Sequence, residues 1–343
     1  MDSSKRAASA SGKAEEGGGS TPRDAYGEDT NPFAAREEEN PFSEDSFIQI
    51  QADQLAQWSP APRNLSTQVP EVHFENVDPF ARITECTPEE LEKLAEILEL
   101  RGAQPRQVRM RQACFEAAEL APGMRVLDVG CGTGVVTRQL ARVVGRKGRV
   151  VGVDPSAPLL DYARRCLVPG APIEYVVGDA FDLRFPDGAF DASVSVTLFS
   201  HITRPGEVVR QMIKVTRSGG KIMLLDQDYQ TLVFEHSDKK LTRKILLHGS
   251  DYNVLDPWCG RSLTGLLVQE GVVGVRCWPF VYAERDSQSY LITIAQRFAA
   301  LAVHQQAVSE DEARAWLNEL YTRAIEGTFY ASLNYYFSFG EVR

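Results

Sequence analysis

Long apolar runs are missing from this chain of 343 residues. Charge interrupts each apolar stretch within about a dozen positions, short of the roughly 18 that a membrane helix needs. Direct insertion into a membrane is therefore excluded as an expectation. Cysteine is sparse and scattered: Cys86, Cys114, Cys131, Cys166, Cys259 and Cys277 form no CxxC pair. That argues against a zinc site and for a reducing compartment. Basic excess is absent too, since 37 Lys and Arg against 47 Asp and Glu leave a formal charge of −10. No basic stripe alternates with aromatics, so nucleic acid is not the expected substrate. His73, His236, His248 and His304 lack metal-ligand spacing, and no metal is expected.

What remains is an ordinary globular composition, 43% hydrophobic and 24% charged, with enough chain for a sizeable core. The acidity is uneven. Residues 1–68 carry 12 acidic and 6 basic side chains, with little apolar periodicity and much Ser, Ala, Gly, Glu and Pro. Such a segment cannot bury enough surface to offset the entropy of ordering and is expected to be a disordered tail. It lacks the apolar segment of a secretory signal, and its acids do not suit an organelle transit peptide, so the expected address is cytoplasmic. Within it Asn31-Pro32-Phe33 and Asn40-Pro41-Phe42 repeat a tripeptide. Asn-Pro favours a turn that presents the Phe, and the pair resembles peptides bound by EH domains of endocytic adaptors. Chance tripeptides in a biased tail are the plainer reading.

Folded structure is expected from residue 69 to 343. Thr87-Pro88-Glu89-Glu90 has the form of a helix start, with a stop expected at Gly102. A second helix is expected from Gln104 to Leu120. Short β-rich runs then alternate with amphipathic helices: strands at 125–129, 149–153, 173–177, 190–196 and 221–225. This pattern specifies parallel βαβ units in a doubly wound α/β sheet, with ligands at the carboxyl ends of the strands. A strand near 272–282, helices around 287–304 and 309–325, and a last strand at 329–339 complete a mostly parallel seven-stranded sheet. The helices before its final strand are placed by order alone to cover the ligand edge.

The strongest local signal is Val126-Leu127-Asp128-Val129-Gly130-Cys131-Gly132-Thr133-Gly134, an apolar strand ending in an acid and three alternating glycines. Glycine lets a ligand approach the backbone. The dinucleotide spacing G-x-G-x-x-G is not met, because Val135 stands where its third glycine belongs. A carboxylate before the glycines repels phosphates and suits a cationic ligand. Two further strands end in acids, at Val153-Asp154-Pro155 and Gly178-Asp179-Ala180-Phe181. Each acid alone reads as a helix cap; three on successive strands do not.

At these residues the segment from about Gln107 to Asp228 resembles the class I S-adenosylmethionine-dependent methyltransferases of the small-molecule, type-11-like kind. VLDVGCGTG, VGVDPS, GDAFDLRFPDGAFD and VTRSGGKIMLLD carry the likeness. It implies a Rossmann-like methyltransferase fold and S-adenosyl-L-methionine as cofactor. Asp128, Gly130, Cys131 and Gly132 would hold its methionine part and Asp154 its ribose, with Pro155 near the adenine. Asp179 would take the adenine amine, with Ala180 and Phe181 framing the ring. Thr197 to His201 would border the sulfonium and the acceptor.

His201 is the candidate general base by location, with a turn-fixing residue as its plainer reading. Asp226, Asp228 and Tyr229 end the expected fifth strand and either face the acceptor or cap the next segment. Arg261 either binds an acidic acceptor or sits on the surface. The expected activity is methyl transfer to a small-molecule acceptor, whose pocket would come from residues 69–118 and 229–328. The alternatives are a protein methyltransferase, disfavoured by Ser-Val-Thr-Leu-Phe after the fourth strand, or a non-catalytic adaptor working through the tail.

Overall fold

The computed structural model describes residues 78–285 and 289–343. The Asn-Pro-Phe repeats and the expected tail lie outside the described residues.

Two helices open the described chain, α1 (Pro88–Ala103) and α2 (Pro105–Ala117). Then follow β1 (Arg125–Val129), α3 (Val135–Val144), β2 (Arg149–Asp154), α4 (Ala157–Arg165), β3 (Ile173–Val177), β4 (Phe190–Val196), α5 (Pro205–Val215) and β5 (Thr216–Phe234). The chain closes with α6 (Lys239–Asn253), α7 (Cys259–Gln269), β6 (Val273–Glu284), α8 (Tyr290–His304), α9 (Glu310–Glu326) and β7 (Ala331–Glu341). The strands form one sheet in the order β3-β2-β1-β4-β5-β7-β6, with β7 antiparallel to both neighbours. The expected seven-stranded, mostly parallel α/β architecture is the observed one.

Strand order reverses between β1 and β4, so the loops leaving these two strands diverge and open a crevice, the usual ligand position in such sheets. Register places Asp128 of β1 opposite Gly152 of β2 and Val194 of β4. Side chains alternate across the sheet: Val126 and Val150 belong to one buried cluster, Leu127, Val129, Val151 and Val153 to another. Leu140 of α3, Phe298 of α8 and Trp316 of α9 pack in the first. Val208 and Met212 of α5 and Leu263 of α7 pack in the second.

Helix α1 begins as expected. Thr87 and Glu90 form a reciprocal capping box with Pro88 at the first helical position, and Ser309 and Glu312 do the same for α9. Gly102 is not a stop. It lies inside α1, and a Cβ there would sit 2.6 Å from both methyls of Val135. The missing side chain brings α1 against the start of α3, beside the glycine turn. The fifth strand is also longer than expected. Its residues beyond Leu225 gain β7 as a partner, Asp226 opposite Tyr336 and Asp228 opposite Asn334, a pairing made over a hundred residues away in sequence.

Among the described residues no helix is long and apolar enough to cross a membrane.

Candidate active site

The crevice holds a cavity of about 360 Å³, within the range of small-molecule sites. Its floor is made by the loops after β1, β2, β3 and β4. Its roof is Phe80, Ile83 and Thr84 with Leu98 and Arg101 of α1 and Gln107 and Arg111 of α2. The eleven residues expected to hold the cofactor or act as base line it: Asp128, Gly130, Cys131, Gly132, Asp154, Pro155, Asp179, Ala180, Phe181, Thr197 and His201.

The turn after β1 is built from left-handed glycines. Gly132 has φ +52° and Gly134 φ +75°, and a Cβ on Gly134 would lie 2.1 Å from the Tyr175 hydroxyl oxygen. No L side chain fits that position. Below the turn Asp128 is buried, and one carboxylate oxygen accepts the Thr137 hydroxyl at 2.6 Å. Burial pushes its carboxyl up to about 7; Thr137 opposes this, nearby Asp154 adds to it, and Arg111 opposes it.

Asp154 ties two loops together. Its Oδ2 accepts the Gly132 N–H at 2.8 Å and its Oδ1 the Ser156 N–H at 2.9 Å. Burial raises its carboxyl while these two backbone donors restrain the rise. Part of the helix-cap reading is thus realised, since Asp154 organises the entry to α4. Each oxygen keeps a further lone pair for a ligand hydroxyl. Asp179, at the exposed mouth, accepts the Phe181 N–H at 2.9 Å. The Arg204 guanidinium lies 4.7 Å from the centre of the Phe181 ring. Cys131 is buried and its thiol is pushed well up by burial, so it is chemically quiet there.

At the end of β4, Thr197 takes φ +56°, a left-handed conformation rare for a β-branched residue. Its hydroxyl accepts from Arg101 Nη2 at 2.8 Å, and its N–H donates to Leu225 O at 2.7 Å. Backbone strain of this kind costs about 1–3 kcal/mol and collects at functional sites. His201 follows on a single 3-10 turn, Phe199–His201. Its Nδ1 meets both Asp78 oxygens, at 2.9 and 2.8 Å, and the Phe80 ring lies 5.0 Å away, tilted by 51°. Because an ionised carboxylate only accepts, Nδ1 carries a hydrogen, and in the neutral ring Nε2 then keeps its lone pair.

A second cavity of about 320 Å³ adjoins the first and shares Phe80, Arg101 and His201 with it. Leu94 and Ile97 of α1, Tyr229 of β5, Val254, and Tyr290 and Ile294 of α8 form its walls. Of the two helices before the last strand, α8 therefore reaches the ligand edge, while α9 lines neither cavity.

Asp226 and Asp228 line neither cavity. Asp226 accepts the Ser200 and Gln227 N–H groups, at 3.2 and 2.9 Å. Asp228 is fully buried and paired with Arg261, which also stacks on Trp258. Of that group only Tyr229 faces the second cavity. Arg261 sits exposed at the start of α7, as its surface reading expected, and is spent on Asp228.

Sequence reasoning assigned the N-terminal region to the pocket but named neither Arg101 nor Arg111. Arg111 donates to Gln139 Oε1 at 2.8 Å and Gly102 O at 2.6 Å, and burial and Arg101 hold it down to about 10. Its signal was present: Gln107, Arg111 and Phe115 fall on one helical stripe that is buried throughout, and a charge on an apolar stripe calls for an internal partner. Asp78 had no comparable signal.

Residues 127–224 match the family model described as the methyltransferase domain. This stretch, from β1 into β5, is similar to that domain. The chain is 37% identical over 130 residues to a 2-phytyl-1,4-naphtoquinone methyltransferase of Synechococcus elongatus, covering 36% of this chain and 56% of that one. It is 35% identical over 115 residues to a ubiquinone/menaquinone biosynthesis C-methyltransferase of Pseudomonas aeruginosa, covering 33% and 45%. An uncharacterized 37.1 kDa protein in transposon TN4556 of Streptomyces fradiae is 27% identical over 227 residues, covering 66% and 65%. The chain thus spans about half to two thirds of the length of these relatives.

S-adenosylmethionine is the cofactor that the resemblance implies, and the residues present fit it. The Thr133 hydroxyl lines the cavity, buried and without a partner among the described residues. The Asp128 carboxylate suits the ligand's ammonium, and the glycine turn leaves room against the backbone.

Proposed function

We propose that this chain transfers a methyl group from S-adenosylmethionine to a small-molecule acceptor. The observation that carries the reading is the convergence of Asp128, Asp154 and Asp179, each ending a successive strand, on one cavity with the glycine turn. The quinone names of two relatives support an acceptor of metabolite size.

In this reading Asp128 and the Gly130-Cys131-Gly132 turn hold the methionine part through charge and backbone contacts. Asp154 accepts the ribose hydroxyls, held rigid for that task by Gly132 and Ser156. Asp179 takes the adenine amine, and Pro155, Ala180 and Phe181 frame the ring. Thr197 borders the reactive end. When bound, the cofactor supplies an electrophilic methyl carbon on a positively charged sulfur. The chain's own work is then to orient the acceptor, exclude water with the α1 and α2 roof, and accept a proton where the acceptor carries one. His201, with Nδ1 held by Asp78, is the group for that proton.

Calorimetric titration with S-adenosylmethionine, alongside Asp154→Ala, tests the reading. Binding in the parent that weakens at least tenfold in the variant is expected. No binding to the parent at millimolar cofactor overturns the proposal.

A further inference from the structure

We propose that the second cavity is the acceptor chamber and takes an apolar molecule bearing an acidic conjugated hydroxyl, a phenol or an enol, whose oxyanion is paired by Arg101 and whose proton passes to His201. The inference rests on the methyl-transfer reading above and adds the acceptor's chemical class.

The chamber is an apolar room with an anion deficit. Arg101 donates to the Thr197 hydroxyl and lies near the Tyr290 phenol, both neutral groups, and it makes no ion pair among the described residues. A guanidinium drawn out of water without a counter-charge is costly, and an incoming anion relieves that cost. The other titratable and charged groups facing the room are Asp78, His201, Arg297, Tyr229 and Tyr290. Asp78, the one acid in the lining, is committed to His201 and to the Phe80 N–H at 3.1 Å. Arg297 donates to Asn253 Oδ1 at 2.6 Å and adds a second positive charge.

Four acceptor classes fail this environment. A protonated amine meets two guanidiniums. A carboxylic acid, with pKa near about 4, arrives already ionised and leaves His201 without a task. An aliphatic alcohol is too weak an acid for an imidazole to match. A thiolate is a poor partner for guanidinium N–H groups, which pair best with oxygen anions. A phenol, with pKa near about 10, is protonated in water and lies within reach once a positive charge stands beside its oxygen.

The proton balance is simple. The acceptor O–H bond breaks, its proton takes the lone pair of His201 Nε2, and the bonding pair stays on oxygen facing the Arg101 N–H groups. Asp78 balances the imidazolium formed.

The test uses the full chain, S-adenosylhomocysteine and 2-naphthol, whose neutral and ionised forms differ in absorbance and fluorescence. Bound naphthol is expected to ionise at least about one pH unit below free naphthol, as an opposite charge within contact distance produces. Arg101→Gln should bind naphthol without that shift, and Arg101→Lys should restore part of it. Ile97→Trp, which fills the chamber from α1, should weaken naphthol binding more than tenfold while S-adenosylhomocysteine still binds. Naphthol bound in its neutral form, or ionised equally in Arg101→Gln, overturns the inference. Naphthol that fails to bind while S-adenosylhomocysteine does also overturns it and leaves the methyl-transfer reading standing. Failure of S-adenosylhomocysteine to bind removes that reading, and the inference with it.

Discussion

If Asp128 holds the cofactor's ammonium as proposed, it makes cofactor affinity a function of pH, with a sign that follows from its burial. In the empty site its carboxyl is pushed up to about 7, chiefly by desolvation. A ligand ammonium beside it favours the ionised form, so the bound-state value is lower. Binding therefore expels a proton below pH 7, and affinity falls as pH drops through that value. For a single group at about 7, the ionised fraction falls about 25-fold between pH 7.5 and 5.5, or about 1.9 kcal/mol. The ligand's own amine, with pKa about 7.7–8.0, sets the upper edge of the window. Calorimetry in buffers of different ionisation heat reads both quantities: the affinity, and release of about 0.9 proton at pH 6. Asp128→Asn should bind more weakly and lose the pH dependence.

The same group acts oppositely on the empty fold. Its folded pKa lies above the unfolded value, so between about 4 and 7 the folded state holds more protons, and stability falls as pH rises. Asp128→Asn should therefore raise the melting temperature of the empty protein at pH 8 while weakening the ligand. Affinity that is flat from pH 5.5 to 7.5, or that strengthens toward acid, would refute the reasoning.

Three further outcomes follow from particular contacts. Asp78→Asn replaces a pure acceptor with an amide that also donates, so the His201 ring, observed by nitrogen NMR, should shift from the Nδ1–H form toward a tautomer mixture. An unchanged ring spectrum would remove Asp78 as its positioning residue. Gly102→Ala puts a methyl 2.6 Å from Val135 and should cost about 1–3 kcal/mol in urea unfolding; Val135→Ala in the same chain should recover much of it. Arg261→Ala strands the buried Asp228 carboxylate and should destabilise by about 2 kcal/mol, with cofactor affinity unchanged because neither residue touches the first cavity. A matching loss of cofactor affinity would mean that Arg261 supports the site as well as the fold.

The sequence alone determined whatever depends on neighbours within a few positions or on simple periodicity. The Thr87 and Ser309 capping boxes are i to i+3 contacts. The strand-acid-glycine turn after β1 follows from φ values that glycine alone takes readily, and alternation in β1 and β2 names the faces each residue buries. Strand and helix order then brings Asp128, Asp154 and Asp179 to one edge without any long-range information. Only the tertiary structure decided the rest. The length of β5 comes from pairing with β7, and the fate of Asp228 from Arg261, 33 residues on. Arg101 meets Thr197 across 96 residues, and Asp78 meets His201 across 123. Such contacts leave no periodic trace, because a charged residue on a helix or in a loop reads the same whether it faces water or a partner. The cofactor cavity was therefore legible in its floor, while its roof and the neighbouring chamber emerged only when α1 and α8 closed over the sheet edge.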